Sequence, residues 1–282
     1  MQENGRYALR LLSREVAMSG FLGGIPPSVL PAPVPVGTDC SDMNWVLDGA
    51  HSLELVNDYR PASPPISLHG TTLTCLDGAS IAANTDLIAI KRSAAAASLR
   101  RGIPAAGLTL SPVENWYLRL AAGAHPRWEK LSTAQLRDPE PELSSLSYWQ
   151  AMSQIFFIRR YSDSGDSDDD VPTLCVETLA GDGMTTRCLI EGVENMQFEF
   201  GIDTDADGVP NEYKSAPLGN EMDRAITARI HLLLRSVNRI AGHRDDKSYM
   251  LGPSAVQARH DPYLRRVVST TVALGNQLKA IN

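Results

Sequence analysis

Gln2-Glu-Asn-Gly-Arg-Tyr-Ala-Leu-Arg-Leu-Leu-Ser-Arg-Glu-Val-Ala-Met-Ser-Gly-Phe21 is the stretch on which the fold turns. Ala8, Leu11, Leu12 and Val16 recur at three- and four-residue steps, whereas Arg6, Arg10, Arg14 and Glu15 fall on other faces. Residues 2 to 19 therefore read as an amphipathic helix with one apolar stripe for packing. Gly20, Gly23-Gly24 and Pro26-Pro27 then end it. Asn4 is a candidate N-cap, which would make this an ordinary surface helix. The competing reading is that the sequence begins inside a longer helix whose first part is missing. Periodicity does not separate the two.

Working outward, residues 25 to 37 are so rich in proline that they form neither helix nor central strand. From Trp45 to about Ala106 the pattern suits short strands and loops, with Asp86-Leu-Ile-Ala-Ile-Lys91 the clearest strand, preceded by a turn at Asp77-Gly78. Residues 93 to 101 read as a short helix or an alanine-rich loop, and Pro126 to Leu146 mostly as loop. The second half is more regular. Gln154–Arg159 is a buried strand, and Leu174–Thr178 and Arg187–Ile190 are hairpin arms around Gly181-Asp-Gly183. Met196-Gln-Phe-Glu-Phe200 alternates as a half-buried antiparallel strand does. Residues 228 to 235 suit a strand, with a helix competing, and Arg266–Leu274 is β-branched enough to be a strand. One helix followed by many antiparallel strands predicts an α+β architecture.

The chain has 282 residues, 26 basic and 33 acidic, for a formal charge of −7. Five aspartates lie between Asp163 and Asp170 and three between Asp203 and Asp207, and setting these aside leaves 25 acidic against 26 basic residues. The excess charge thus belongs to two loops. Arg100-Arg101, Arg159-Arg160 and Arg265-Arg266 are isolated pairs and form no basic stripe, so nucleic acid is not an expected partner. No apolar run approaches the roughly 20 residues that span a bilayer, and no signal-peptide pattern opens the sequence.

The four cysteines contain no Cys-x-x-Cys pair, which argues against zinc and thioredoxin-type chemistry. Cys175 and Cys188 sit on the two arms of the predicted hairpin, which favours their pairing. Cys40 and Cys75 then pair by default. Four buried free thiols are the alternative; disulfides would imply an oxidising compartment.

Asp203-Thr-Asp205-Ala-Asp207-Gly208-Val209-Pro-Asn211-Glu212 has three carboxylates at alternate positions before a glycine turn. A hard cation such as calcium takes six to eight oxygens, and the Val209 carbonyl and the Asn211 side chain fall at the next ligand positions of such a loop. The position of the usual bidentate glutamate is Lys214, so Glu212, or a distant carboxylate such as Asp223, would have to complete the shell. The bland alternative is a solvated Asp/Gly turn. The loop Asp163 to Asp170 lacks this phasing and reads as hydrated loop. No G-x-S-x-G, H-E-x-x-H, P-loop or G-x-G-x-x-G is present, and the six histidines show no ligand spacing. His231, inside an apolar run, reads as a core or sheet-face residue. Nothing in the sequence asks for an enzyme.

Four stretches together carry a resemblance: residues 2 to 21, Leu189 to Gly208, Ala225 to Ser236 and Tyr263 to Leu274. The first looks like the soluble half of a type IV pilin helix, and all four resemble the PilW-type minor pilins in order and spacing. That resemblance implies a pilin-like fold, with the truncated helix of residues 1–20 packed on antiparallel β-sheet in a globular periplasmic head of residues 21–282. It further implies an apolar helix ahead of Gln2 anchored in the inner membrane of a Gram-negative bacterium. The implied role is non-catalytic: priming pilus assembly and capping the fibre tip, with other minor pilins, the tip adhesin and the major pilin as partners. Two other readings stand beside it, a J-type minor pseudopilin of type II secretion and a secreted calcium-stabilised adhesive or binding module.

Overall fold

The apolar stripe of the first stretch is a helix, α1 (Gln2–Ala17), whose buried residues are Gly5, Ala8, Leu12, Glu15 and Val16. Their spacing of three and four residues puts them on one face. A Cβ at position 5 would overlap the Leu234 side chain, so glycine there permits the close approach of helix to sheet. Arg6, Arg10 and Arg14 are exposed. Two expectations about α1 are corrected. Asn4 lies within the helix and caps nothing; its Nδ2 donates to the Glu191 carbonyl at 2.9 Å. Glu15 is not on an outer face but is buried against Arg92, whose Nε and Nη2 donate to one carboxylate oxygen at 2.8 and 2.5 Å. At the other end, Asn276 Nδ2 donates to the Ala17 carbonyl at 2.9 Å. A buried ion pair adds little net stability, but breaking one strands a charge. Glu15 and Arg92 therefore fix how the helix is rotated on the sheets.

The computed structural model describes residues 1–41, 44–61, 66–68, 70–137, 145–163, 165 and 169–276. Its first sheet comprises β1 (Leu53–Val56), β2 (Leu87–Ser93), β3 (Glu114–Leu120), β4 (Arg127–Ser132), β5 (Ser147–Arg159), β6 (Thr173–Ala180) and β7 (Gly183–Glu191). The path is β1-β2-β5-β6-β7, with β3 of the β3–β4 hairpin and the short strand Leu99–Arg100 on the first part of β5, and Ile103–Pro104 paired with Leu99–Arg100. The second sheet comprises β8 (Val193–Ile202), β9 (Glu212–Lys214), β10 (Ala225–Arg235) and β11 (Arg265–Ala273), in the order β9-β8-β10-β11. Every ladder in both sheets is antiparallel. The fold is α+β, one amino-terminal helix packed on antiparallel sheet.

Residues 228–235 are strand, not helix, because they pair on both sides, with β8 and β11. The stretch 93–101 is no helix; it leaves β2, bends and ends in the short strand Leu99–Arg100. The loop expected from Pro126 to Leu146 is also corrected: it holds β4 and a short helix, Thr133–Arg137. Buried Trp128, whose indole N–H donates to the Leu47 carbonyl at 3.1 Å, and partly buried Leu131 supply the apolar anchors.

The main core lies between the sheets and α1. Ala8, Leu12 and Val16 meet Ile88, Ile90, Phe156, Ile158 and Val176 of the first sheet and Phe198, Ile230, Leu232 and Leu234 of the second. The first sheet is buried on its other face as well. There Leu87, Ala89, Ile155, Phe157 and Cys175 pack beneath Leu22, Val36, Trp45, Val46 and Leu47. All seven residues of β2 are consequently buried, and the strand reads as a continuous apolar run that ends in paired charges. Lys91 donates to Glu54 at 2.9 Å and lies over the Trp45 ring; burial holds its pKa down against the raising effect of Glu54.

Asp86 joins the two sheets. Its backbone N–H donates to the Met196 carbonyl at 2.9 Å. Its carboxylate accepts the N–H of Phe198 at 2.7 Å and that of Asp58 at 2.9 Å. It thus stands in for a strand partner along β8. Burial is the main influence on its carboxyl, raising the pKa to about 7 against those two hydrogen bonds, with the nearby Asp58 charge adding to the rise.

Candidate functional site

Three features identified in the sequence take shape here: the helix face, the cysteines and the acidic loop. Of the stripe residues, Ala8, Leu12 and Val16 are fully buried, and Leu11 packs at the margin of the same core, partly exposed. The face is shared between β10, β11 and β7, so α1 holds the edge of one sheet to the face of the other.

Cys175 and Cys188 are bonded across β6 and β7, with Cα atoms 4.0 Å apart, and Cys40 is bonded to Cys75, with Cα atoms 4.7 Å apart. No cysteine is free. The Cys40–Cys75 bond ties the irregular cladding together, and Thr74 N donates to the Cys40 carbonyl beside it at 2.7 Å.

The acidic loop leaves the end of β8. Asp203, Asp205 and Asp207 place a carboxylate oxygen each within 4.8 Å of the others. Asp203 is buried and accepts the N–H groups of Ala206 at 2.7 Å and Gly208 at 2.9 Å. Desolvation pushes its pKa up, but these N–H groups outweigh that and hold it below the usual carboxylate range. Folding therefore favours the charged form of Asp203, with each of its oxygens already accepting a backbone N–H. The left-handed conformations of Ala206 (φ 62°) and Gly208 (φ 88°) make the turn. The remaining expected ligands are differently engaged. Asn211 Oδ1 accepts from Thr204 N at 2.6 Å, and Glu212 pairs with Lys214 at 3.1 Å. Lys214 also pairs with Glu221. Val209 is exposed, and Asp223 stands outside the carboxylate cluster. Three oxygens converge, then, and the rest of a shell would need rearrangement or water.

His231 is a sheet-face residue, paired with Glu199 at 2.9 Å on the side of β10 away from α1. Sequence reasoning missed the cluster around Arg265, whose guanidinium meets Glu194 at 2.6 Å, Asp261 at 2.6 Å and Asp245 at 3.0 Å. An adjacent arginine pair gives no hint that one member is buried among three carboxylates. No helix among the described residues is long and apolar enough to cross a membrane.

Residues 155–276 match the family model described as type IV pilus-assembly protein W, or PilW. Over those residues the chain is PilW-like. The PilW-like segment runs from the second half of β5 through β11, and so contains the whole second sheet, the Cys175–Cys188 bond and the acidic loop. It takes in three of the four stretches that carried the resemblance and leaves out α1. The match relates the chain to type IV pilus assembly. A comparison with curated proteins finds no match. Among solved structures, a type IV-like pilin from Thermus thermophilus aligns at 9% identity with a TM-score of 0.40, over 98% of this chain and 96% of that one. That likeness adds nothing to the fold assignment, which rests on α1 and its sheets.

Proposed function

We propose that this chain is a non-catalytic minor pilin that helps prime type IV pilus assembly and sits at or near the pilus tip. The observation that carries the reading is the PilW match over residues 155–276. The packing of α1 supports it: a helix seated along two sheets is a spine that can join a head to whatever the helix enters. In this reading an apolar helical stretch ahead of α1 anchors the protein in the inner membrane, the head is periplasmic, and the partners are other minor pilins, the tip adhesin and the major pilin. The two disulfides agree with an oxidising compartment. We also propose that Asp203, Asp205 and Asp207 take a calcium ion; three hard oxygens on one turn suit that cation.

The test is deletion of the gene in its own bacterium, with complementation by a tagged copy. Loss of surface pili, counted by electron microscopy, and label at fibre ends after complementation are the expected results. Normal pili without label would overturn the reading. Intact pili with failed protein secretion would point instead to a J-type pseudopilin.

A further inference from the structure

The strand edges of this molecule are not treated alike. β1 and β9 are short, β4 carries Arg127, Glu129 and Lys130 on its edge, and β7 is bridged by Thr38 at Gly183. Short strands, charges and bridging contacts are the usual ways of blunting an edge. β11 carries charge only at its first two residues, Arg265 and Arg266. It pairs with β10 from Arg265 to Ala273 without a register break, contains no proline, and ends the sheet order, so its other side has no strand partner among the described residues. In an antiparallel ladder, backbone N–H and C=O groups point alternately toward the partner and away, so part of β11's hydrogen-bonding capacity faces outward.

Beside this edge lies a groove of about 250 Å3 between β11 and the first turns of α1, lined by Gln2, Arg6, Leu9, Arg266 and Val268. Leu9 and Val268 are partly buried and pack on the main core, so the floor is apolar. Arg266 is exposed and has no ion pair among the described residues, whereas its neighbour Arg265 is turned inward to three carboxylates. Arg6 has only Glu3, at 3.4 Å with both side chains in solvent, a pair of negligible strength. The groove thus offers two guanidinium groups in need of anions.

We propose that the open edge of β11 and this groove form a docking site for an extended, carboxylate-bearing segment of another chain, added as a fifth strand to the second sheet. Main-chain hydrogen bonds to the edge supply affinity, an apolar side chain rests over Leu9 and Val268, and the carboxylate meets Arg6 and Arg266 and sets direction. Charge complementarity selects this occupant over a second copy, because β11 itself holds no carboxylate and self-pairing would leave both arginines unmatched. The site stands on the edge and groove alone and is independent of the pilus reading.

A display library of ten-residue peptides, selected on the purified protein, tests the proposal. Synthetic copies of enriched peptides are then titrated by fluorescence anisotropy, with hydrogen exchange mapped on the complex. The expected result is enrichment of β-branched peptides with an Asp or Glu, slowed exchange across 265–273, and at least tenfold weaker binding to the Arg6→Glu/Arg266→Glu variant. Both positions are in solvent, and an unchanged melting curve confirms that the variant folds. Failure to enrich carboxylate-bearing peptides, binding indifferent to the two substitutions, or light scattering that shows a dimer protected along β11 would each overturn it.

Discussion

The two sheets solve the burial problem differently. The second is covered on its inner face by α1 and the first sheet, and its other face is polar, with buried Gln197 accepting from Ser254 at 3.0 Å and partly buried Glu199, Arg229 and His231 beside it. The first is covered on both faces, on one side by regular elements and on the other by a proline-rich, disulfide-bonded cladding. A sheet with one polar face needs only alternation. A sheet with two dry faces needs a second layer, and here that layer has almost no regular structure, so covalent and polar ties do the holding.

This contrast can be attacked where the sheets share a support. Leu12 is fully buried against both, and Leu12→Asp would put an uncompensated charge into the common core. The expected loss is on the order of 4 kcal/mol or more, with both sheets melting together. A melt followed by hydrogen exchange in β2 and β10 checks this, and retention of either sheet would break the picture of one shared core.

Next comes the cladding. Replacing Cys40 and Cys75 by serine opens a loop closed over a sequence separation of 35. The chain-entropy model puts the loss at roughly 4 kcal/mol. Exchange should rise first in residues 36–41, 44–47 and β1, while β8 and β10 stay protected. Uniform loss across both sheets would show that the cladding is not a separate layer of stability.

The joint between the sheets should respond to pH. The Asp86 carboxyl has a folded pKa of about 7, well above the roughly 3.9 of an unfolded aspartate. Between those values the folded state binds a proton that the unfolded state lacks, so stability falls as pH rises from about 4 to 7 and levels off above. The shift corresponds to a few kcal/mol at most. Urea midpoints from pH 5 to 8 should decline in the wild type and decline less in Asp86→Asn; equal slopes would remove Asp86 as the source.

The smallest effect belongs to the acidic loop at the end of β8. Calcium at millimolar concentration should raise the melting temperature by a few degrees, corresponding to about 1–3 kcal/mol for ligand in excess of Kd. Asp205→Ala should abolish the rise without altering the melt in chelator. No calcium effect on the wild type would leave the loop a self-bonded turn.

The second sheet was legible where its signals are local, whereas β10, whose apolar run suits a helix as well, is decided by its pairing with β8 and β11. Met196–Phe200 alternates, and the β-branched run in β11 admits little else. The first sheet was less so. β4 was hidden by polar residues around two apolar anchors, Trp128 and Leu131, and the cladding follows no period at all. Glu15 was assigned to an outer face because its partner, Arg92, lies 77 residues away in sequence, and no periodicity reports such a pair. In the acidic loop the converging aspartates followed from spacing, but the competition of Thr204 for Asn211 and of Lys214 for Glu212 depends on how the turn closes. The cysteine pairing was readable because one pair flanks a turn and leaves the other no choice.

Asn4, Glu15 and Asn276 tether α1 to the body near its start, near its end and at its last carbonyl. Since the helix runs along β10 from Leu234 toward the Ala225 end, tension applied along its axis loads all three tethers and the intervening apolar contacts in shear, simultaneously. Such a joint resists being drawn out lengthwise far better than being peeled.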